Sequence, residues 1–242
     1  MKKFFKKKIK SILSKFGWKL IKIRKPGTLK PYGKIDLKVL KALNESKGIL
    51  HLGAHRGTEA EVYNWFGKPV LWFEANPEIY EELKDNLMNY SNQKCFNSLL
   101  SDEDEKLVPF NISNYDSAAS SIFDFSEEIK NSKTWNNRNH KMIKKIQLKS
   151  VTLDKILNEN SIDPSNYNHW VLDLQGAELL VLKGAKKSLL SCRSLYVEVS
   201  KKEFYSNAAT WLEVKEWLEK LNFFPSKNIS KDEEDILFLK QN

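Results

Sequence analysis

Apolar positions along the chain follow two periods. Short apolar runs bounded by glycine, proline or polar turns occur at residues 48–52, 69–73, 94–100, 168–172 and 194–200, and each reads as a strand of a sheet covered on both faces. Between them the spacing lengthens to three and four: Ile79, Tyr80, Leu83 and Leu87 share one helical face, and residues 178–185 and 211–221 repeat the pattern. A shorter helix over 35–43 leads into the first strand, Asn76-Pro77 starts the helix after residue 74, and Thr152 opens another after a strand at 145–151. Strands alternating with helices predict a doubly wound, mostly parallel α/β sheet. Residues 107–112 read as an added strand, and 221–224 with 235–239 as an antiparallel hairpin at the sheet edge.

Two stretches carry candidate chemistry. In Gly53-Ala54-His55-Arg56-Gly57 a strand runs through a glycine turn into a helix opened by Thr58-Glu59, an arrangement in which backbone N–H groups approach a ligand closely. Glu74 ends the next strand, 21 residues after Gly53, where a doubly wound fold sets an acid against ribose hydroxyls. Ser101 and Asp102 close the third strand and are expected to meet a base. In the second stretch a buried strand ends at Asp173, Gly176 turns the chain, and Glu178 begins a helix. Glu198, inside a strand, is expected to border a cavity, because a buried carboxylate without a partner is costly. Residues 113–140, rich in Ser, Asn and charge, read as a lid or substrate loop.

Charge divides the chain. Residues 1–35 hold thirteen Lys or Arg and no acid, which leaves 27 basic against 31 acidic residues in the rest. Phe5, Ile9, Ile12, Leu13, Phe16 and Leu20 against Lys2, Lys3, Lys6, Lys7, Lys8, Lys10, Lys15 and Lys19 make residues 1–23 a basic amphipathic helix, and 1–34 a leader and linker before a domain over 35–242. The leader lacks the apolar length of a membrane span or signal peptide, so the expectation is a cytoplasmic protein with peripheral contact to the anionic inner membrane face. A mildly acidic body argues against nucleic acid as partner. Cys95 and Cys192 are too far apart in sequence to form a zinc motif and read as reduced core residues.

Gly53-Ala54-His55-Arg56-Gly57, Glu74-Ala75-Asn76-Pro77, Asn97-Ser98-Leu99-Leu100-Ser101-Asp102, Leu172-Asp173-Leu174-Gln175-Gly176-Ala177-Glu178, Val181-Leu182-Lys183-Gly184-Ala185, Glu198 and the ending Glu234-Asp235-Ile236-Leu237-Phe238 together resemble the FkbM-type methyltransferases over about residues 46–240. The resemblance implies a Rossmann-like class I fold, S-adenosylmethionine as cofactor, and O-methylation of a sugar, glycan or related small-molecule acceptor. Carried onto this chain, it puts the cofactor against His51, Gly53, Ala54, His55, Gly57, Glu74, Ala75, Asn76, Ser101 and Asp102. It makes Asp173 the first choice of base, with Glu178 or His55 as substitutes. His55 departs from the glycine of the wider superfamily. A metal through Asp173 and Glu198 is compatible with the spacing and not required by it. A NAD-dependent oxidoreductase fits less well, since His55 and Thr58 stand where Gly-x-Gly-x-x-Gly needs glycine. An RNA or protein methyltransferase and a non-enzymatic membrane adaptor are the remaining readings; the acidic body weighs against the first and the retained Glu74, Asp173 and Glu178 against the second.

Overall fold

The computed structural model describes residues 36–114, 116–131 and 140–241. The leader and linker expected over 1–34, with the membrane contact assigned to them, lie outside the described residues. In chain order the elements are α1 (Leu37–Glu45), β1 (Ile49–Leu52), α2 (Ala60–Trp65), β2 (Val70–Glu74), α3 (Pro77–Leu87), β3 (Gln93–Asn97), β4 (Leu99–Leu100), β5 (Leu107–Ser113), α4 (Glu127–Lys130), β6 (Met142–Val151), α5 (Leu153–Glu159), β7 (His169–Leu172), α6 (Glu178–Lys183), β8 (Ser194–Ser200), α7 (Trp211–Glu219), β9 (Phe223–Pro225) and β10 (Glu233–Lys240).

Seven strands form the main sheet in the order β3-β2-β1-β7-β8-β10-β9, all parallel except β10. This is the doubly wound sheet that the alternation predicts, closed at one edge by the antiparallel β9–β10 pair. Every residue of β1 and β2 is buried, because helices cover both faces of the sheet. One core lies between the sheet and the side of α5, α6 and α7, where Leu50, Leu52, Trp170, Val197 and Phe238 meet Leu157, Val181 and Leu218. The opposite core gathers Ile49, Val70 and Trp72 with Tyr63, Leu83 and Leu87 of α2 and α3. Capping follows the sequence: Asn76 accepts from the Glu78 amide with Pro77 in the first turn, and Thr152 accepts from Lys155.

One expected strand is divided. Residues 94–100 do not continue as a unit: β3 stops at Asn97, Ser98 N donates to Glu74 O at 2.9 Å, and β4 joins β6 and β5 in a separate three-stranded sheet. Asn97 Nδ2 ties the turn across the end of β2 through Glu74 O at 2.8 Å. Among the described residues no helix is long and apolar enough to cross a membrane.

Register aligns the site. Leu52 of β1 pairs with Phe73 of β2 and with Leu172 of β7, so the next residues, Gly53, Glu74 and Asp173, emerge side by side at the carboxyl edge. Parallel strands put ligands at this edge.

Candidate active site

Gly53 makes the first turn at φ +87°, and a Cβ there would stand 1.7 Å from Asp173 O. Only glycine lets the β1 turn lie against the end of β7. Gly53→Ala therefore combines left-handed strain with a backbone clash, each costing roughly 1–3 kcal/mol. The expected result is a lower urea midpoint with an unchanged m value.

That turn holds Glu74. His55 N donates to Glu74 Oε2 at 2.8 Å and Asn76 N to Oε1 at 2.7 Å, so both carboxylate oxygens are oriented by backbone while each keeps accepting capacity. Glu74 is 8 % exposed. Burial pushes its carboxyl up to about 7, with nearby Asp173 adding to the rise against the backbone amides of Asn76, His55 and Ala75. Glu74 lines a cleft together with Gly53, His55, Ala75, Asp173 and Gln175, with Leu99, Phe110 and Ile122 as its apolar wall.

Asp173 is exposed at the opposite side of this cleft. The turn after it is built around Gln175, in a left-handed backbone at φ 53°. Gln175 Nε2 donates to Asp173 Oδ1 at 2.5 Å and to Glu198 Oε2 at 2.8 Å, and its Oε1 accepts from the hydroxyl of Tyr205 at 2.5 Å. Tyr205 is buried. One amide thus fixes two carboxylates and is itself fixed by a phenol. Burial holds the Glu198 carboxyl well above the usual carboxylate range, helped by Asp173, Glu233 and Glu178. Burial of Glu198 thus disfavours its charged form, while Asp173 is exposed at the mouth of the cleft.

Residues 116–122 fold over the cleft. Ser117, Ala118, Ser120 and Ile122 line it, Ser121 Oγ donates to Gln175 O at 2.7 Å, and Arg56 reaches Asp116 Oδ2 at 2.9 Å. His55 Nε2 lies 2.9 Å from Asp116 O. Phe125 packs against Tyr205 behind this cover, the rings tilted with centroids 5.3 Å apart. The space left under it is about 70 Å³.

The structure brings Gly53, His55, Glu74, Ala75 and Asp173 to one cleft. Other expected site residues stand elsewhere. His51 points into the core between the sheet and α2, stacked on Trp72 with centroids 4.6 Å apart and bonded to Tyr63 at 3.1 Å. Strand alternation turns it away from the edge. Ser101 and Asp102 leave with the second sheet once the chain breaks at Ser98: Ser101 N donates to Val151 O, and Asp102 lines a different groove near Lys183 and Lys187. Gly57 faces Leu83, Ala54 is buried in the core beside α2, and Asn76 holds Glu74 through its amide. Glu178 is buried, accepts from Leu174 N at 2.7 Å and Gly176 N at 3.3 Å, and props the Asp173 turn from behind. Burial raises its carboxyl to about 7. Among the described residues no group of three His, Cys, Asp or Glu is placed to hold a metal ion.

Sequence reasoning gave no role to Gln175, Tyr205 or Ser121. Gln175 carried a local signal, a polar residue before glycine at a strand end between two acids. Tyr205 and Ser121 carried none, since only tertiary packing brings them to residue 175.

Comparison with solved structures finds only distant likeness. An uncharacterised protein from Listeria monocytogenes serotype 4b is 10 % identical, with TM-score 0.45, covering 86 % of this chain and 69 % of its own. A magnesium protoporphyrin IX methyltransferase from Synechocystis PCC 6803 gives 8 %, 0.43, 84 % and 74 %, and a SAM dependent methyltransferase from Aquifex aeolicus gives 11 %, 0.44, 84 % and 88 %. No curated protein matches the sequence. The Methyltransferase FkbM domain matches residues 51–225, from β1 through β9 and including the glycine turn, Glu74, Asp173 and Gln175. With well over half of its length inside that match, the chain belongs to the FkbM methyltransferase family.

Proposed function

We propose that the protein is an S-adenosylmethionine-dependent O-methyltransferase acting on a hydroxyl of a sugar, glycan or related small molecule. The observation that carries this reading is the pairing across one cleft of a buried, backbone-held Glu74 with an exposed, amide-held Asp173. The residues fit the cofactor. Glu74 has accepting capacity for ribose hydroxyls and no cationic partner, and the adjacent Asn76 Nδ2 is a buried donor without a partner among the described residues. Apolar Leu99, Phe110 and Ile122 suit a base. S-adenosylmethionine supplies a methyl group already activated on a sulfonium.

The chain's own work is then placement and proton removal. Asp173, held by Gln175, accepts the acceptor hydroxyl's proton, and Glu178 and Tyr205 keep that turn from moving. Serines of the cover and the carboxylates at the mouth suit an acceptor rich in hydroxyl groups. Of the lid expected over 113–140, part of which lies outside the described residues, residues 116–122 form the cover: the roughly 70 Å³ beneath them is well below the several hundred Å³ of a ligand site, so binding lifts them. Peripheral contact of residues 1–23 with the inner membrane face is part of the same reading, since polysaccharide assembly on lipid carriers takes place there.

Calorimetric titration with S-adenosylhomocysteine, beside NADH, tests the cofactor. Micromolar affinity for the first and none for the second is the expected result; preference for NADH would favour an oxidoreductase instead. A methyl-transfer screen over nucleotide sugars and oligosaccharides, with RNA and protein as controls, then tests the acceptor, and transfer to either control would overturn the glycan reading.

A further inference from the structure

At the edge of the sheet opposite the cleft, where β8 and β9 begin and β10 ends, an apolar groove of about 580 Å³ lies between the segment before β8 and the end of α7. Leu189, Leu190, Trp217, Leu221 and Phe223 line it. Leu190 is 76 % exposed and Leu221 40 %. Burying such side chains is worth roughly 1.5–3 kcal/mol each, so leaving them in water at a groove marks a contact surface. Every charged residue lining it is basic: Lys186, Lys220 and Lys240. Lys240 Nζ is anchored to Leu190 O at 2.9 Å and lies 5.2 Å from the centre of the Phe223 ring, while Lys186 and Lys220 have no ion-pair partner among the described residues.

From this geometry we infer that the groove seats on an anionic phospholipid surface, with Leu190 and Leu221 entering the headgroup boundary and Lys186 and Lys220 meeting lipid phosphates. Charge selects this occupant. The chain's own leader, with thirteen basic residues and no acid over 1–35, would bring like charge to the lysines, and so would a second copy docking through the same groove. An anionic bilayer offers both an apolar boundary and negative charge, and one weak anchor gains stability from a second. Because the groove and the cleft lie at opposite edges of the sheet, docking leaves the cleft open to a soluble or protruding acceptor. This inference is independent of the reaction assigned to the cleft.

Flotation of the full chain with phosphatidylcholine vesicles, with and without phosphatidylglycerol, tests it. Binding only to the anionic vesicles is expected. Lys186→Ala and Lys220→Ala should each weaken it about fivefold, the equivalent of roughly 1 kcal/mol per basic residue at such a surface. Leu190→Asp should weaken it about tenfold or more. Unchanged titration with S-adenosylhomocysteine certifies that each variant is folded. Three outcomes would overturn the inference: variants that float like the parent, which would leave all binding to the leader; equal binding to uncharged vesicles; or loss with the lysines alone and none with Leu190→Asp, which would make the contact a diffuse electrostatic one.

Discussion

Asp173→Asn is expected to abolish methyl transfer while leaving cofactor binding intact. The substitution keeps shape: an asparagine Oδ1 still accepts from Gln175 Nε2, so the turn and the neighbouring Gly53 stay in place. What it removes is the group that takes the proton from the acceptor hydroxyl. Loss of a positioned base costs roughly 10²–10⁴ in turnover. Single-turnover transfer of a labelled methyl group, beside calorimetry with S-adenosylhomocysteine, reads both halves. Glu198→Gln is the companion variant. Burial, with Asp173, Glu233 and Glu178 nearby, raises the Glu198 carboxyl, so glutamine resembles the form this environment favours and most turnover should remain. Full activity in Asp173→Asn would remove Asp173 from the chemistry. Equal losses in both variants would mean that the two acids act as one unit, not as a base and its neighbour.

Cofactor affinity is expected to fall as pH drops through 7. Burial raises the Glu74 carboxyl to about 7. Ribose hydroxyls donate to the carboxylate and gain less from the protonated acid, so binding is linked to release of a proton. The sign follows directly: the ligand stabilises the ionised form, and affinity is full above 7 and lost below it. Between pH 7.5 and 5.5 the dissociation constant for S-adenosylhomocysteine should rise about 25-fold. Glu74→Gln should abolish this dependence and bind weakly at every pH. Its amide can accept from only one of the His55 and Asn76 N–H groups, which leaves the other a buried unpaired donor at a cost of roughly 1–3 kcal/mol. A pH-independent affinity in the parent protein would show that Glu74 does not contact the cofactor.

The parts of the site legible in the sequence share one property: each is a chain-local consequence of a strand ending at a turn. Gly53, Glu74 and Asp173 each follow an apolar run, and parallel strands paired in register must deliver them to one edge. His51 shows the limit of reading by proximity in sequence. It lies two residues before Gly53, yet alternation along β1 turns its ring toward Trp72 and Tyr63. Ser101 and Asp102 stand away from that cleft for a different reason. The apolar run 94–100 looks like one strand, and nothing local marks Ser98 as the place where the chain leaves one sheet for another. Glu178 was recognised as a significant acid, but its task depends on which way a buried carboxylate faces, and it faces the Leu174 and Gly176 amides.

By itself, then, the sequence determined the doubly wound sheet, its antiparallel edge, the glycine turn and the family, because periodicity, turn chemistry and spaced motifs are properties of short stretches of chain. Only the tertiary structure decided how the acids at the strand ends are held. Gln175, Tyr205, Ser121 and Glu198 come from four separated segments, and their hydrogen bonds, together with the burial that raises the Glu198 carboxyl, exist only once those segments are packed together.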